Sequence, residues 1–416
     1  TGDAGDDLGT VSDTAVAGFG MTGSVSYAAV EDLTLLLGAG HDRVNVTSTS
    51  AETSIDTASG DDVVYVSSGA DLGILLDYQG PAGDLEAFQT SALHGTVDHI
   101  KGILNIDAGA GSNSFAVSDR TDGDADSQII VTADRISGLA PAAINYIATG
   151  GDFAGQGNLT QSSDIGLYGR GVNVYAGSGG NEVTIDSVAS TSGIDPFGAV
   201  ATTVFLGAGD DVAQVNIANG LLALRGEAGN DAIDATAATV PLIAIGDEGE
   251  DTLSGGSDAD VIAGDGARVH YLAPTSGGTF DVIFGGAPLE DYTGSTRDAD
   301  FLSADAIYTV NTVLDGADVI RAGAGDDIVL GGGADDTISG GENRDLILGD
   351  TGALTRLTNI GDDTDPRFRT LTGTALYGTV VDGNAEDDVL VSDAPRVDLR
   401  VGAVWSDFDL DLQVLN

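Results

Sequence analysis

The chain has 416 residues, with 66 acidic against 15 basic side chains and a formal net charge of −51. Glycine numbers 62, cysteine is absent, and hydrophobic residues make up 42%. So acidic a surface excludes nucleic-acid phosphates and anionic membrane surfaces as partners. The missing cysteines exclude disulfide frameworks and thiolate metal sites, and the hydrophobic share separates the chain from disordered acidic polymers.

Taken in order, the chain opens on Thr-Gly-Asp-Ala-Gly-Asp-Asp, which has no signal-peptide pattern and reads as a fragment of a repeat. A motif of small residue, glycine, Asp or Asn and a β-branched residue then recurs. It appears as GAGHDRVNV (Gly38–Val46), ASGDDVVYV (Ala58–Val66), GAGSNSFAV (Gly109–Val117) and GSGGNEVTI (Gly177–Ile185). GAGDDVAQV (Gly207–Val215), GEAGNDAID (Gly226–Asp234) and GDEGEDTLS (Gly246–Ser254) continue the series. The tail of most copies alternates apolar and polar residues, the mark of a half-buried strand. Strand-like runs such as Thr202–Leu206 and Leu242–Ile245 precede several of them. The unit is strand, glycine turn, strand.

Asp42 and Asp62 lie 20 residues apart, as do Asp211, Asp231 and Asp251 in succession. Twenty residues suit one coil of a parallel β-solenoid with one glycine-aspartate turn and one longer turn rich in Ser, Thr and Ala. From Asp251 to Asp260 the spacing drops to nine, and Asp318, Asp327, Asp336 and Asp345 keep it. Here the chain reads VLDGADVIR, AGAGDDIVL, GGGADDTIS and GGENRDLIL (Val313–Leu348), so both turns of each coil become glycine-aspartate turns. This block resembles the RTX (repeats-in-toxin) or haemolysin-type calcium-binding repeat proteins, whose nonapeptide is G-G-x-G-x-D-x-U-x. The resemblance implies an all-β fold, a parallel β-solenoid of the RTX-like β-roll type with loop or hairpin excursions. It also implies Ca²⁺ between turns of successive coils and a segment of a large secreted repeat protein. Two nonads depart from the pattern, with Ala334 and Asn343 in place of the fourth glycine.

The motif has its own physical reading. Glycines permit positive φ and bring carbonyl oxygens together, and the sixth-position aspartate adds a carboxylate. An all-oxygen donor set with many ligands suits Ca²⁺ better than Mg²⁺. Two carboxylates stacked at about 4.8 Å repel by roughly 3 kcal/mol at an effective dielectric of 20, so a file of them calls for counter-ions. The preference for aspartate over glutamate, 56 to 10, points the same way, because a turn ligand needs the shorter side chain. The expected metal ligands are Asp42, Asp62, Asp211, Asp231, Asp251, Asp260, Asp318, Asp327, Asp336, Asp345 and Asp388. With them go the turn glycines Gly323, Gly325, Gly331, Gly333 and Gly340. Turns with Asn113 and Asn181 lack the carboxylate and are expected to hold metal less readily.

Four segments are expected. Residues 1–245 form a solenoid with single-edge turns and excursions at 70–101 and 118–169. Residues 246–286 form a first nonapeptide block with its excursion, 287–349 a second block, and 350–416 an excursion and a terminal strand segment. Both blocks end in a Gly-Asp-(x)-Gly-Ala sequence, at Gly264–Ala267 and Gly349–Ala353, so a block-plus-excursion module is used twice. The helical spacing of Asp84–Leu93 is the one weak helix signal, and the alternating C-terminal run around Trp405 reads as a last strand pair.

No catalytic constellation emerges. The four histidines, His41, His94, His99 and His270, are not at helical metal spacing, and no nucleophile elbow, Walker A or zinc-protease motif occurs. No apolar run reaches membrane-span length. The expected role is non-enzymatic: a calcium-stiffened structural segment of an extracellular or cell-surface protein, as fibre, filament, sheath or surface layer. The lack of polar end caps points to association end to end or with further repeats of a longer parent. A calcium-dependent adhesin stalk binding glycans or surface proteins through its excursions is the alternative. The non-catalytic β-roll of a secreted polysaccharide-active enzyme comes third.

Overall fold

A computed structural model describes residues 5–72, 94–153, 171–189, 200–272, 280–282, 306–309, 314–325, 327–343, 345–356, 367–369, 376–382, 389–391, 396–401 and 404–409. Its described secondary-structure elements are all β-strands, and the chain is an all-β parallel solenoid. The strands are short because each crosses one face of a coil before a glycine turn reverses the chain. The expected helix at Asp84–Leu93 lies outside the described residues.

Two compact units are present, Thr1–Phe205 with Gly285–Pro288, and Leu206–Phe284 with Leu289–Asn416. In the first, an antiparallel start (Leu8–Val11 with Ala15–Gly18) leads into parallel stacking. Val44 pairs with Val64, Val64 with Phe115, and Phe115 with Val172. Val46, Val66, Val117 and Val174 form the next column. On the opposite face Leu35, Ile55, Ile106 and Tyr146 stack in register. The period-2 pattern puts these side chains inside, where Val44, Val46, Val66, Phe115, Val117 and Tyr146 are fully buried.

The stretch 118–169 contains a strand insertion. Ile129–Thr132, Arg135–Ser137 and Ile144–Ile147 form an antiparallel three-strand meander. Its outer members pair in parallel with Glu182–Ile185 on one side and Leu104–Asp107 on the other. The alternation of Ile129, Val131 and Ile136, all buried, lets the insertion occupy places in the stack that coils would otherwise fill.

In the second unit one column runs Ala213, Ile233, Leu253, Ile320, Ile338, Leu390, one apolar residue per three- or four-residue strand. In the other sheet the columns Ala244, Ile262, Val329, Ile347 and Ile245, Ala263, Leu330, Leu348 point to opposite faces, and both are buried. Thr252–Ser254 pairs directly with Val319–Arg321, so the excursion between them interrupts the sequence and leaves the stack intact. Ala267–Leu272 and Gly352–Arg356, which follow the two Gly-Asp-(x)-Gly-Ala exits, join a six-stranded sheet whose described pairings are all antiparallel. The C-terminal run is the expected strand pair, with Arg396–Val401 antiparallel to Val404–Asp409 and parallel to Leu346–Asp350.

Candidate metal-binding turns

Each glycine turn places its aspartate at the edge of the stack, where the backbone of one coil meets that of the next. The sixth-position side chain reaches back one coil. Oδ1 of Asp62 accepts the N–H of Asp42 at 2.7 Å, and Oδ1 of Asp42 that of Asp7 at 2.9 Å. In the second unit the chain of acceptors runs Asp231 to Asp211, Asp251 to Asp231, Asp318 to Asp251 and Asp336 to Asp318, at 2.7–2.9 Å. A second file begins on the other edge, where Asp260 accepts from Leu242, Asp327 from Asp260 and Asp345 from Asp327. Apart from Asp7, which is half-buried, all of these aspartates are buried. The structure thus arranges Asp42, Asp62, Asp211, Asp231, Asp251, Asp260, Asp318, Asp327, Asp336 and Asp345 in ladders, while Asp388 lies outside the described residues.

The polar groups of Asp251 can be followed one by one. Its N–H donates to Oδ1 of Asp318, its carbonyl accepts from Val319, and its own Oδ1 accepts from Asp231. Oδ2 remains, buried and without a hydrogen-bond donor, and the same holds for Oδ2 of Asp231 and Asp318. Asp260 differs, because Oδ2 accepts the N–H of Gly256 at 2.7 Å.

The glycines make room for this second oxygen. A Cβ placed on Gly226 would stand 2.2 Å from Oδ2 of Asp231 and 2.3 Å from the carbonyl oxygen of Gly246 in the next coil. The same clash with a carboxylate and a next-coil carbonyl occurs at Gly246 with Asp251 and at Gly331 with Asp336. At Gly340 it is the carboxylate of Asp345 that a Cβ would meet, at 2.2 Å. Gly323 (φ 108°) and Gly325 (φ 150°) supply left-handed backbone, and a Cβ on either would strike a carbonyl oxygen of the preceding coil. Gly333 lies against the Asp315 side chain. Ala334 (φ 65°) and Asn343 (φ 78°) keep the turn in the conformation that glycine would adopt.

Removal from water resists ionisation of these carboxylates. Burial, reinforced by neighbouring carboxylates, pushes Asp231, Asp251 and Asp260 up to about 7 and Asp318 up to about 9. The Arg225 guanidinium answers part of this charge, in a buried two-point pair with Asp247, its Nε 2.8 Å from Oδ2. Among the described residues, Asp231, Asp251 and Asp318 have no such cation beside them. Donor-poor buried carboxylate oxygens beside converging carbonyls form a hard, all-oxygen site of the kind a divalent ion such as Ca²⁺ fits. Bound there, the ion would supply the charge balance that the ladder lacks.

The asparagine copies show the alternative. Oδ1 of Asn113 keeps the ladder bond to Asp62, while Nδ2 donates to the carbonyls of Asp152 (3.2 Å) and Gly111 (3.4 Å). Oδ1 of Asn181 accepts from Asp126 and Nδ2 donates to Gly177. An amide therefore does internally what a carboxylate needs a cation to do.

Several residues escaped the sequence reading. Fifth-position side chains reach forward, opposite to the sixth. Asp61 accepts the N–H of Ser112, Asp210 that of Asn230, and Asn230 that of Glu250. His41 sits in this file, its Nδ1 accepting from Asp61 at 2.9 Å. The Asp-Asp doublets were the available signal. Asp265, at the exit of the first block, caps Gly316 and Gly333 after the excursion returns.

A family model, the RTX calcium-binding nonapeptide repeat, matches in four copies over residues 243–267 and 313–352. Among curated proteins and among solved structures, nothing matches the chain significantly. Both matched stretches fall where the ladders run on both edges.

Proposed function

Since this chain carries RTX calcium-binding nonapeptide repeats, we propose that it is a structural segment of a large extracellular or cell-surface protein, in a fibre, filament, sheath or surface layer. Ca²⁺ binding sets its rigidity. The observation that carries this reading is the file of buried aspartates whose second oxygens at Asp231, Asp251 and Asp318 have no donor. The expected ligands are Asp42, Asp62, Asp211, Asp231, Asp251, Asp318, Asp327, Asp336 and Asp345, over the glycine cradles of their turns. Asp260 belongs to the set by position, although its oxygens are capped by Leu242 and Gly256.

Extracellular calcium is abundant and cytosolic calcium scarce, so such ladders fill after export. Proteins with these repeats are typically secreted, and the repeats are generally structural, which supports a non-catalytic role outside the cell. Among the described residues no helix is long and apolar enough to cross a membrane. Electron microscopy of the chain in millimolar Ca²⁺ and in chelator tests the fibre reading. Filaments or sheets that dissolve on chelation support it. Separate particles under both conditions refute it.

The antiparallel sheet that follows the two nonad blocks favours a second reading, an adhesin stalk that displays this sheet to glycans or surface proteins. Glycan-array binding that disappears when Gly352–Asp382 is removed is its expected signature.

A further inference from the structure

A different acidic cluster lies in the first unit, outside both matched repeat stretches. The chain leaves the strand Ser114–Ser118 and makes the loop Asp119-Arg-Thr-Asp-Gly-Asp-Ala-Asp126. Asp119 is 0% exposed. Its Oδ1 accepts the N–H of Val97 at 2.6 Å, and its Oδ2 is buried with no hydrogen-bond partner. Oδ2 of Asp126 is likewise buried and without a partner. One carboxylate oxygen from each of Asp119, Asp122 and Asp126 lies within 4.8 Å of the other two.

The loop is held in place independently of any ion. Thr121 donates to the carbonyl of Gly95 (3.2 Å), and Asp122 to that of Asp119 (2.8 Å). Ser178 donates through both N–H and Oγ to the carbonyl of Asp122, at 2.7 and 2.8 Å. Asp126 donates to Oδ1 of Asn181 and accepts from Glu182. Asp126 therefore occupies a rung whose neighbour is an amide, and Asn181 spends its Nδ2 on Gly177. Three carboxylates converge on a loop that is already held in place, two of them with an idle buried oxygen. Oxygen pairs at this spacing match a cation with ligands at about 2.3–2.6 Å.

We propose that Asp119, Asp122 and Asp126 hold one Ca²⁺ that is separate from the repeat ladders. It fastens this loop between the 95–97 segment and the turn at 177–182. The site takes a hard divalent cation, because every side-chain donor is a carboxylate oxygen.

Native mass spectrometry of the 416-residue chain in Ca²⁺ counts the ions directly. The double variant Asp119→Asn, Asp126→Asn is expected to carry one ion fewer than the parent with an unchanged far-ultraviolet circular dichroism spectrum. The single variant Asp122→Asn, at a half-buried position, is expected to weaken the same ion's binding by about tenfold or more without affecting the fold. An unchanged ion count in the double variant overturns the proposal, as does a loss of several ions at once, which would make these residues part of the repeat ladder. A parallel variant, Asp327→Asn with Asp336→Asn, separates the two readings. If it alone loses ions, the repeat assignment stands and this site falls. If the parent binds no Ca²⁺, both fall.

Discussion

The two oxygens of a ladder aspartate have different duties. Oδ1 caps an amide of the preceding coil and belongs to the fold; Oδ2 is left buried at Asp231, Asp251 and Asp318 and belongs to the ion. Asparagine satisfies the first duty and replaces the second with its own N–H, as at Asn113 and Asn181. Asp251→Asn therefore has opposite effects in the two conditions. In chelator it raises stability by about 1–2 kcal/mol, by removing a buried unpaired acceptor. In saturating Ca²⁺ it lowers the melting temperature below the parent's. Thermal melts of both proteins in both buffers check the crossing.

The same carboxylates set a pH dependence. Without calcium, burial holds Asp231 and Asp251 at about 7 and Asp318 at about 9, above the ordinary value near 4. A carboxyl whose folded value is raised contributes stability that is full below pH 4 and is lost as pH climbs through the folded value. The chelated protein is thus expected to melt about 5 °C or more higher at pH 5 than at pH 8. Calcium binds the deprotonated form, so its affinity rises with pH and the order of melting temperatures reverses when it saturates the ladders. Scanning calorimetry at the two pH values, with and without chelator, reads both signs.

At the scale of the element, the turn requires left-handed backbone at its second and fourth positions. Asp247 (φ 76°) and Glu227 (φ 76°) hold the second, and Ala334 (φ 65°) and Asn343 (φ 78°) the fourth. A Cβ in this region costs about 1–2 kcal/mol, partly offset by the freedom a glycine would lose. Ala334→Gly is expected to stabilise the protein by about 1 kcal/mol, whereas Gly331→Ala costs about 3 kcal/mol, since its Cβ would meet Oδ2 of Asp336 and the carbonyl of Gly349. Denaturant melts in Ca²⁺ distinguish the two.

The turn was the most legible element in the sequence, because a spacing of 20 between aspartates is the coil length itself and a spacing of 9 is half of an 18-residue coil. The direction of the caps was not legible. Asp61 and Asp62 are adjacent and alike in type, yet one bonds forward to Ser112 and the other back to Asp42. Only the strand stacking decides which. The insertion at Ile129–Ile147 was expected only as part of the excursion at 118–169, because its parallel partners lie many residues away and no local pattern names a distant partner. Asp119 escaped notice for a related reason: it belongs to no repeat, and its burial depends on Val97 approaching from another coil.

For the whole molecule, part of the net charge of −51 is organised. The ten buried ladder aspartates and the fifth-position file beside them lie along the coil edges, where each bound Ca²⁺ removes two charges. Apolar columns one residue wide, such as Ile233, Leu253, Ile320 and Ile338, hold the inside. They bury little surface per coil, so the edges must not oppose them. With ionised, uncompensated ladders the edges do oppose the stack, and with calcium they join it.

Circular dichroism at pH 7.5, followed through a thermal melt in chelator and in about 5 mM Ca²⁺ with Mg²⁺ as control, measures that balance most directly. A strong β-signal with a melting temperature at least about 15 °C higher in Ca²⁺ than in chelator, and little change with Mg²⁺, is the predicted result. An identical spectrum and melting temperature in chelator and in Ca²⁺ would contradict calcium as the ion that holds these coils together.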